Sequence, residues 1–141
     1  NIAERIGEYI MAEKGLDIYL DIFDKDLQSA TKNNDYEKIC ECIQKGIVES
    51  SAVLCLVSNN TKNSWWVPYE IGYGKHAGRI IGTLALKKVV LPEYLKIEQI
   101  IDSYTDLENF LNNLRIEFHN MSVYEKIMET VIVHPLKDIF E

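Results

Sequence analysis

No apolar run in this 141-residue chain approaches the roughly 20 residues that a bilayer-crossing helix needs. The longest, Ala52–Val57 and Ile80–Leu86, are strand-sized, so no membrane partner is expected. A basic stripe is also missing. The 15 Lys and Arg are scattered, the longest basic run is Lys87-Lys88, and the net charge is −7. Nucleic acid is therefore not an expected partner, and the acidity reads as solubility. The three cysteines, Cys40, Cys42 and Cys55, are an odd number without framework spacing, which argues against a disulfide scaffold. Cys40-Glu41-Cys42 on a helix points its two thiols to different faces, and His76, His119 and His134 lie far apart, so no metal is expected. The start shows no basic stretch followed by an apolar one, and reduced thiols fit a cytoplasmic protein. There is no G-x-G-x-x-G and no P-loop, which leaves phosphate to loop amides and helix N-termini. There is no G-x-S-x-G either, so Ser58 and Ser64 are not read as nucleophiles.

What is present is periodic. Ile2, Ile6, Tyr9 and Ile10 recur at helical spacing, and Gly15 ends the pattern. Leu16–Ile22 alternates and is rich in strand formers, which predicts a strand. Phe23–Asn34 is polar and turn-rich and reads as a long loop. Asp35 caps a helix carrying Ile39, Ile43, Ile47 and Val48. Ser51–Val57 reads as a strand buried on both faces, with Ala52, Leu54 and Leu56 on one side and Val53, Cys55 and Val57 on the other. A polar loop, Ser58–Ser64, precedes a helix starting near Ser64–Trp66, where Pro68 is tolerated in the first turn, and Gly78 ends that helix. Arg79–Leu86 is the next strand, and Val89–Leu91 a short extension broken by Pro92. Asp106–Phe118 is an amphipathic helix with Thr105 as cap, and Met121–Glu141 is helical in two pieces split at Pro135.

This alternation predicts a flavodoxin-like α/β fold, a parallel sheet with helices on both faces. A central strand is expected ahead of Ile2, and the sequence does not contain it. One domain over 1–141 is expected, with 121–141 as a helical extension. In such a sheet the site lies at the carboxyl ends of the strands. Three segments fall there: Phe23–Asn34, Ser58–Trp66 and the turn after Leu86.

Both tryptophans sit in Ser64-Trp65-Trp66-Val67-Pro68-Tyr69-Glu70-Ile71-Gly72. Trp66 and Glu70 are four apart on one helix face, with Tyr73 three further on, so a carboxylate stands beside aromatic surface. Its plain alternative is core tryptophans and a solvated glutamate. Asp21, Asp24 and Asp26 cluster at a strand end, as in a Mg²⁺-binding receiver. A receiver also needs an Asp after Ala52–Val57, where this chain has Ser58, so Asp21 is read as bracing the loop. His76 lies on another side of the helix from Glu70 and reads as a surface histidine.

The run Gly46–Ser58, then Ser64, then Trp66-Val67-x-x-Glu70, resembles the TIR (Toll/interleukin-1 receptor) domain family in its bacterial NAD-cleaving type. Gly15–Asp21 is similar to that family's second strand, Phe23–Asn34 to its BB loop, and Thr105–Leu111 to its last helix. The family's first strand and following loop have no counterpart, and 121–141 runs past the usual end. The resemblance implies an NAD glycohydrolase or cyclase. Such an enzyme gives nicotinamide plus ADP-ribose or a cyclic variant, in bacterial antiphage defence or signalling. It implies Glu70 as the catalytic group, with Trp66, Trp65, Ser64, Asp21, Phe23 and Tyr73 around the substrate. NAD is then a substrate, no cofactor is needed, and self-association runs through 23–34. Two other readings stay open. One is a non-catalytic TIR interaction module; the other is an enzyme like nucleoside 2-deoxyribosyltransferase, which also uses a glutamate at C1′.

Overall fold

The computed structural model describes residues 1–59, 61–119 and 136–140. The chain opens with α1 (Ile2–Lys14). The Asn1 side chain accepts from the Ala3 N–H at 2.8 Å, and Gly15, at φ 63°, takes the left-handed cap. Helices α2 (Lys25–Lys32) and α3 (Tyr36–Val48) follow, then strand β1 (Ala52–Val57) and helix α4 (Trp66–His76). Strand β2 (Ile80–Ala85), the short α5 (Glu93–Lys96), strand β3 (Gln99–Ile101), α6 (Tyr104–His119) and α7 (Lys137–Phe140) complete the order.

The three strands form one parallel sheet in the order β1-β2-β3. Its two faces bury different helices. Ala52, Leu54, Leu56, Ile80 and Leu84 pack with Ile6 and Ile10 of α1 and with Leu107, Phe110, Leu111 and Leu114 of α6. Cys55, Val57 and Ile81 pack with Ile71 of α4 and Leu95 of α5 on the other side. Thr83 is fully buried, and its hydroxyl donates to the Leu95 carbonyl at 3.3 Å. Helices on both faces of a parallel sheet are the α/β layering that the alternating pattern predicts. A Lys14–Glu108 ion pair ties α1 to α6.

Several elements differ from the sequence reading. Leu16–Leu20 belongs to no strand, although Leu20 itself is extended, and Asp21–Phe23 is a 3-10 turn. Leu16, Ile18 and Leu20 are half-buried while Asp17 and Tyr19 are exposed, so the side chains alternate as in a strand. A ladder also needs a neighbouring backbone, and among the described residues none pairs there. Most of Phe23–Asn34 is helix α2 rather than loop. Asp24 caps it, accepting from the Leu27 N–H at 3.0 Å, and its apolar pair Leu27 and Ala30 buries against Ile39 and Cys42 of α3. Two buried residues in eight make a weak periodic signal, which the polar remainder hides. Val89–Leu91 is no strand, whereas α5 and β3, too short for a periodic signal, carry the chain back to the sheet. Helix α6 is capped by Ser103, whose hydroxyl accepts from the Asp106 N–H at 3.1 Å, and not by Thr105. Within Met121–Glu141, only Leu136–Phe140 lies among the described residues, and there Leu136 and Ile139 are buried in the α1–α6 core. The faces of β1 are as expected. Only Cys55 and Val57 are fully buried, because β1 is an edge of the described sheet.

Gly82 on β2 tests this packing. A Cβ there would lie 2.8 Å from the Phe110 ring and 3.0 Å from Ile101, both buried. Gly82→Ala should therefore destabilise the domain by about 1–3 kcal/mol, the scale of core overpacking, despite the backbone entropy gained. Urea unfolding measures it, and an unchanged midpoint would show that the Phe110 contact is soft.

Candidate functional site

The site is built where β1 ends and α4 begins. The loop between them is braced by Thr61, which is buried and whose hydroxyl accepts from the Ser58 N–H at 2.9 Å. The Ser64 hydroxyl accepts from the Val67 N–H at 3.4 Å, a long capping contact at the start of α4. Pro68 is the third residue of that helix, where a missing N–H costs nothing. Glu70 follows in the second turn.

Glu70 is half-buried, and its carboxyl is pushed up to about 7 from an ordinary value near 4.5. Burial is the larger cause and the charge of Asp21 the second. Asp21 therefore lies within electrostatic range of Glu70. It opens the 3-10 turn, and its carboxylate accepts from the Ile22 N–H at 2.9 Å. Beneath Glu70 lies Cys55 of β1, whose thiol is pushed up to about 12, by burial first and then by the Glu70 charge. A thiol so placed stays protonated and behaves as a small apolar side chain. Trp66 meets Tyr69 edge-on, with ring centroids 6.0 Å apart and planes at 87°. The Tyr69 hydroxyl accepts from the Gln44 side chain at 2.7 Å, which pins α4 to α3. The Tyr19 hydroxyl donates to Asp24 at 2.6 Å, holding the start of α2.

The family model described as Thoeris protein ThsB, TIR-like domain, matches residues 5–89, more than half of the chain. The chain belongs to this family. The match runs from α1 through β2 and so includes β1, α4 and Glu70. Neither a curated protein nor a solved structure matches the chain.

In this TIR-like domain, Asp21 is near enough for its charge to act on Glu70. Trp66 stands one turn before Glu70 and is 37% exposed. Tyr73 is half-buried three residues beyond Glu70 on α4. Ser64 lies two residues before α4, its hydroxyl accepting from the Val67 N–H. Trp65, 91% exposed, and Phe23, 66% exposed, stand open to solvent. The Tyr69–Gln44 tie and the position of Cys55 under Glu70 were not read from the sequence. Spacing along one helix shows which residues share its face, and neither contact lies within one helix.

The start of α4 favours an ionised Glu70, but burial and the Asp21 charge outweigh it. Its folded value is raised, so the stabilising contribution is fully present below about 4.5 and is lost as pH rises through about 7. Glu70→Gln, neutral at every pH, should match the wild type in melting temperature below about pH 4.5 and exceed it increasingly as pH rises through about 7. Thermal melts across that range decide it. Parallel curves for the two proteins would mean that Glu70 is solvated.

Proposed function

We propose that the domain cleaves the nicotinamide–ribose bond of NAD, with Glu70 as the catalytic carboxylate. The supporting observation is a half-buried glutamate at the carboxyl end of β1, fixed in the second turn of α4 and within electrostatic range of Asp21. When the C1′–N bond breaks, its electron pair leaves with nicotinamide and positive charge builds on the ribose ring. A carboxylate held in a partly dry setting stabilises that charge without reorganising. Nicotinamide departs from a cationic state and needs no strong acid, so one carboxylate suffices. Water at C1′ then gives ADP-ribose, and a hydroxyl or ring nitrogen of the same molecule gives a cyclic product. Asp21 adds a second negative charge near the ribose, while Trp66 and Tyr73 offer surface for a flat ring. The family's name as a Thoeris protein supports a place in bacterial antiphage defence or signalling.

A second reading, a TIR module that only assembles, draws on the exposed Trp65, Phe23 and Ile22 around the same mouth. Self-association through 23–34 belongs to both readings, and with α2 in that stretch it presents a capped helix rather than a free loop.

Nicotinamide release by the wild type and by Glu70→Gln at equal, high protein concentration separates them. The variant should fold and lose at least about 10²–10³ in turnover, the scale of one preorganised electrostatic contact. Wild-type turnover should rise with pH through about 7, as the carboxyl ionises. A folded variant as fast as the wild type removes Glu70 from the chemistry. A wild type that releases no nicotinamide at any concentration leaves the assembly module.

A further inference from the structure

Helix α4 begins weakly. Its N-cap residue is Trp65, which makes no side-chain capping bond, and the Ser64 hydroxyl reaches the Val67 N–H only at 3.4 Å. The first turn holds no acidic residue, so the helix dipole goes without its usual partner there. A helix end left in this way frays. Yet this turn carries Trp66, four residues before Glu70 and on the same face.

The later turns and the first turn of α4 meet α3 differently. At Gly74 the approach is apolar. A Cβ added there would lie 3.7 Å from Ile47 of α3 and 3.4 Å from Val53 of β1. Gly74 and Ile47 are buried, and this contact fastens the helix to its neighbours. In the first turn the contact is polar and half-buried. The Gln44 amide of α3 donates to the Tyr69 hydroxyl at 2.7 Å. The Tyr69 ring in turn meets the Trp66 ring edge to face, with centroids 6.0 Å apart and planes at 87°. The orientation of Trp66 is therefore set from α3, through Tyr69.

Trp66 is 37% exposed, so part of its indole is free for a ligand. Four residues along a helix are roughly 6 Å of axis. A flat ring bonded directly to the ribose carbon that Glu70 serves lies within that reach. Before the C1′–N bond breaks, the nicotinamide ring carries the positive charge, and tryptophan is the best aromatic partner for a cation. When the bond breaks, the electron pair goes to the ring nitrogen, the ring becomes neutral and the charge passes to the ribose. The hold of Trp66 is thus strongest on the bound substrate, and that of Glu70 on the transition state. The first kind of interaction shows in KM, the second in kcat.

We propose, on the NAD-cleaving reading, that Gln44 and Tyr69 are positioning residues of this site. Their hydrogen bond holds the Tyr69 ring, and that ring sets the Trp66 indole as the wall for the cationic nicotinamide ring.

Tyr69→Phe keeps the ring and deletes the hydroxyl, and Gln44→Leu deletes the donor. Each should raise KM for NAD about 3–10-fold, the scale of one neutral hydrogen bond, with kcat within about twofold. Gln44→Glu should bring KM back to within about twofold of the wild type, because a carboxylate of similar reach accepts from the Tyr69 hydroxyl. A bond that only fastened two helices would not divide the constants in this way. An unchanged KM in folded Tyr69→Phe overturns the proposal. A fall in kcat at constant KM overturns it too, by placing the effect at Glu70, and so does a Gln44→Glu variant that behaves like Gln44→Leu. A binding measurement separates the wall from the reaction. In a Trp65→Phe background Trp66 is the only tryptophan. The 1-methylnicotinamide cation, which has no ribose to cleave, should quench its fluorescence saturably, with a midpoint about 3–10-fold higher when Tyr69→Phe is added. If the wild type releases no nicotinamide from NAD, the reaction falls, while this quenching and its weakening uphold the wall and its two positioning residues. Absence of saturable quenching overturns the proposal whether or not NAD is cleaved.

Discussion

The backbone ladder between Ala52–Val57 and Ile80–Ala85 is the contact on which the remaining features depend. Its register sends Val53, Cys55 and Val57 toward α4 and α5, and Ala52, Leu54 and Leu56 toward α1 and α6. A slip by one residue would exchange the two sets. Cys55 would then leave its place beneath Glu70, and the helices would lose the surfaces that hold them. The parallel direction of the strands matters equally, since it brings the end of β1 directly to the loop that starts α4. The glutamate thus stands at the edge of the sheet because strand, loop and helix are consecutive in the chain and fixed in register.

The electrostatics at that edge are a contest of nearby terms. The start of α4 favours a negative Glu70, while burial and the charge of Asp21 oppose it. The opposing terms prevail, and the group titrates near neutrality. Such a carboxyl responds strongly to what binds beside it. A cation developing on a ribose ring favours the ionised form, and the low local polarity that raises the carboxyl also strengthens the attraction once it ionises. Cys55, kept protonated underneath, adds no competing charge.

Around this centre the walls are held by contacts between distant parts of the chain. Gln44 holds Tyr69 from α3, and Tyr19 holds Asp24 at the start of α2. The Tyr19 ring lies over Gly46, where an added Cβ would come within 2.9 Å of it, so the α3 wall accepts no larger residue without movement. Lys75 of α4 pairs with Glu98 just before β3 at 2.5 Å, which fastens the far end of the α4 helix to the outer strand.

The sequence determined what is local and periodic. The stripe Ile6 and Ile10 with Gly15 specified α1, Asp35 specified the start of α3, the apolar run of β1 specified a strand, and Trp66 and Glu70 fell on one helix face. Each follows from a repeat or cap within a few residues. Tertiary structure decided what depends on a neighbour. Leu16–Leu20 has a strand's alternation but lacks a ladder, because backbone hydrogen bonds need a second chain segment. Lys25–Lys32 is helical because Leu27 and Ala30 find Ile39 and Cys42, a contact invisible in a polar stretch read alone. Asp21 and Glu70 are 49 positions apart in the chain, and only the fold brings them within electrostatic range of one another. Charge acts through space, so the ionisation of Glu70 was settled by the fold, where burial and a distant aspartate outweigh the helix that carries it.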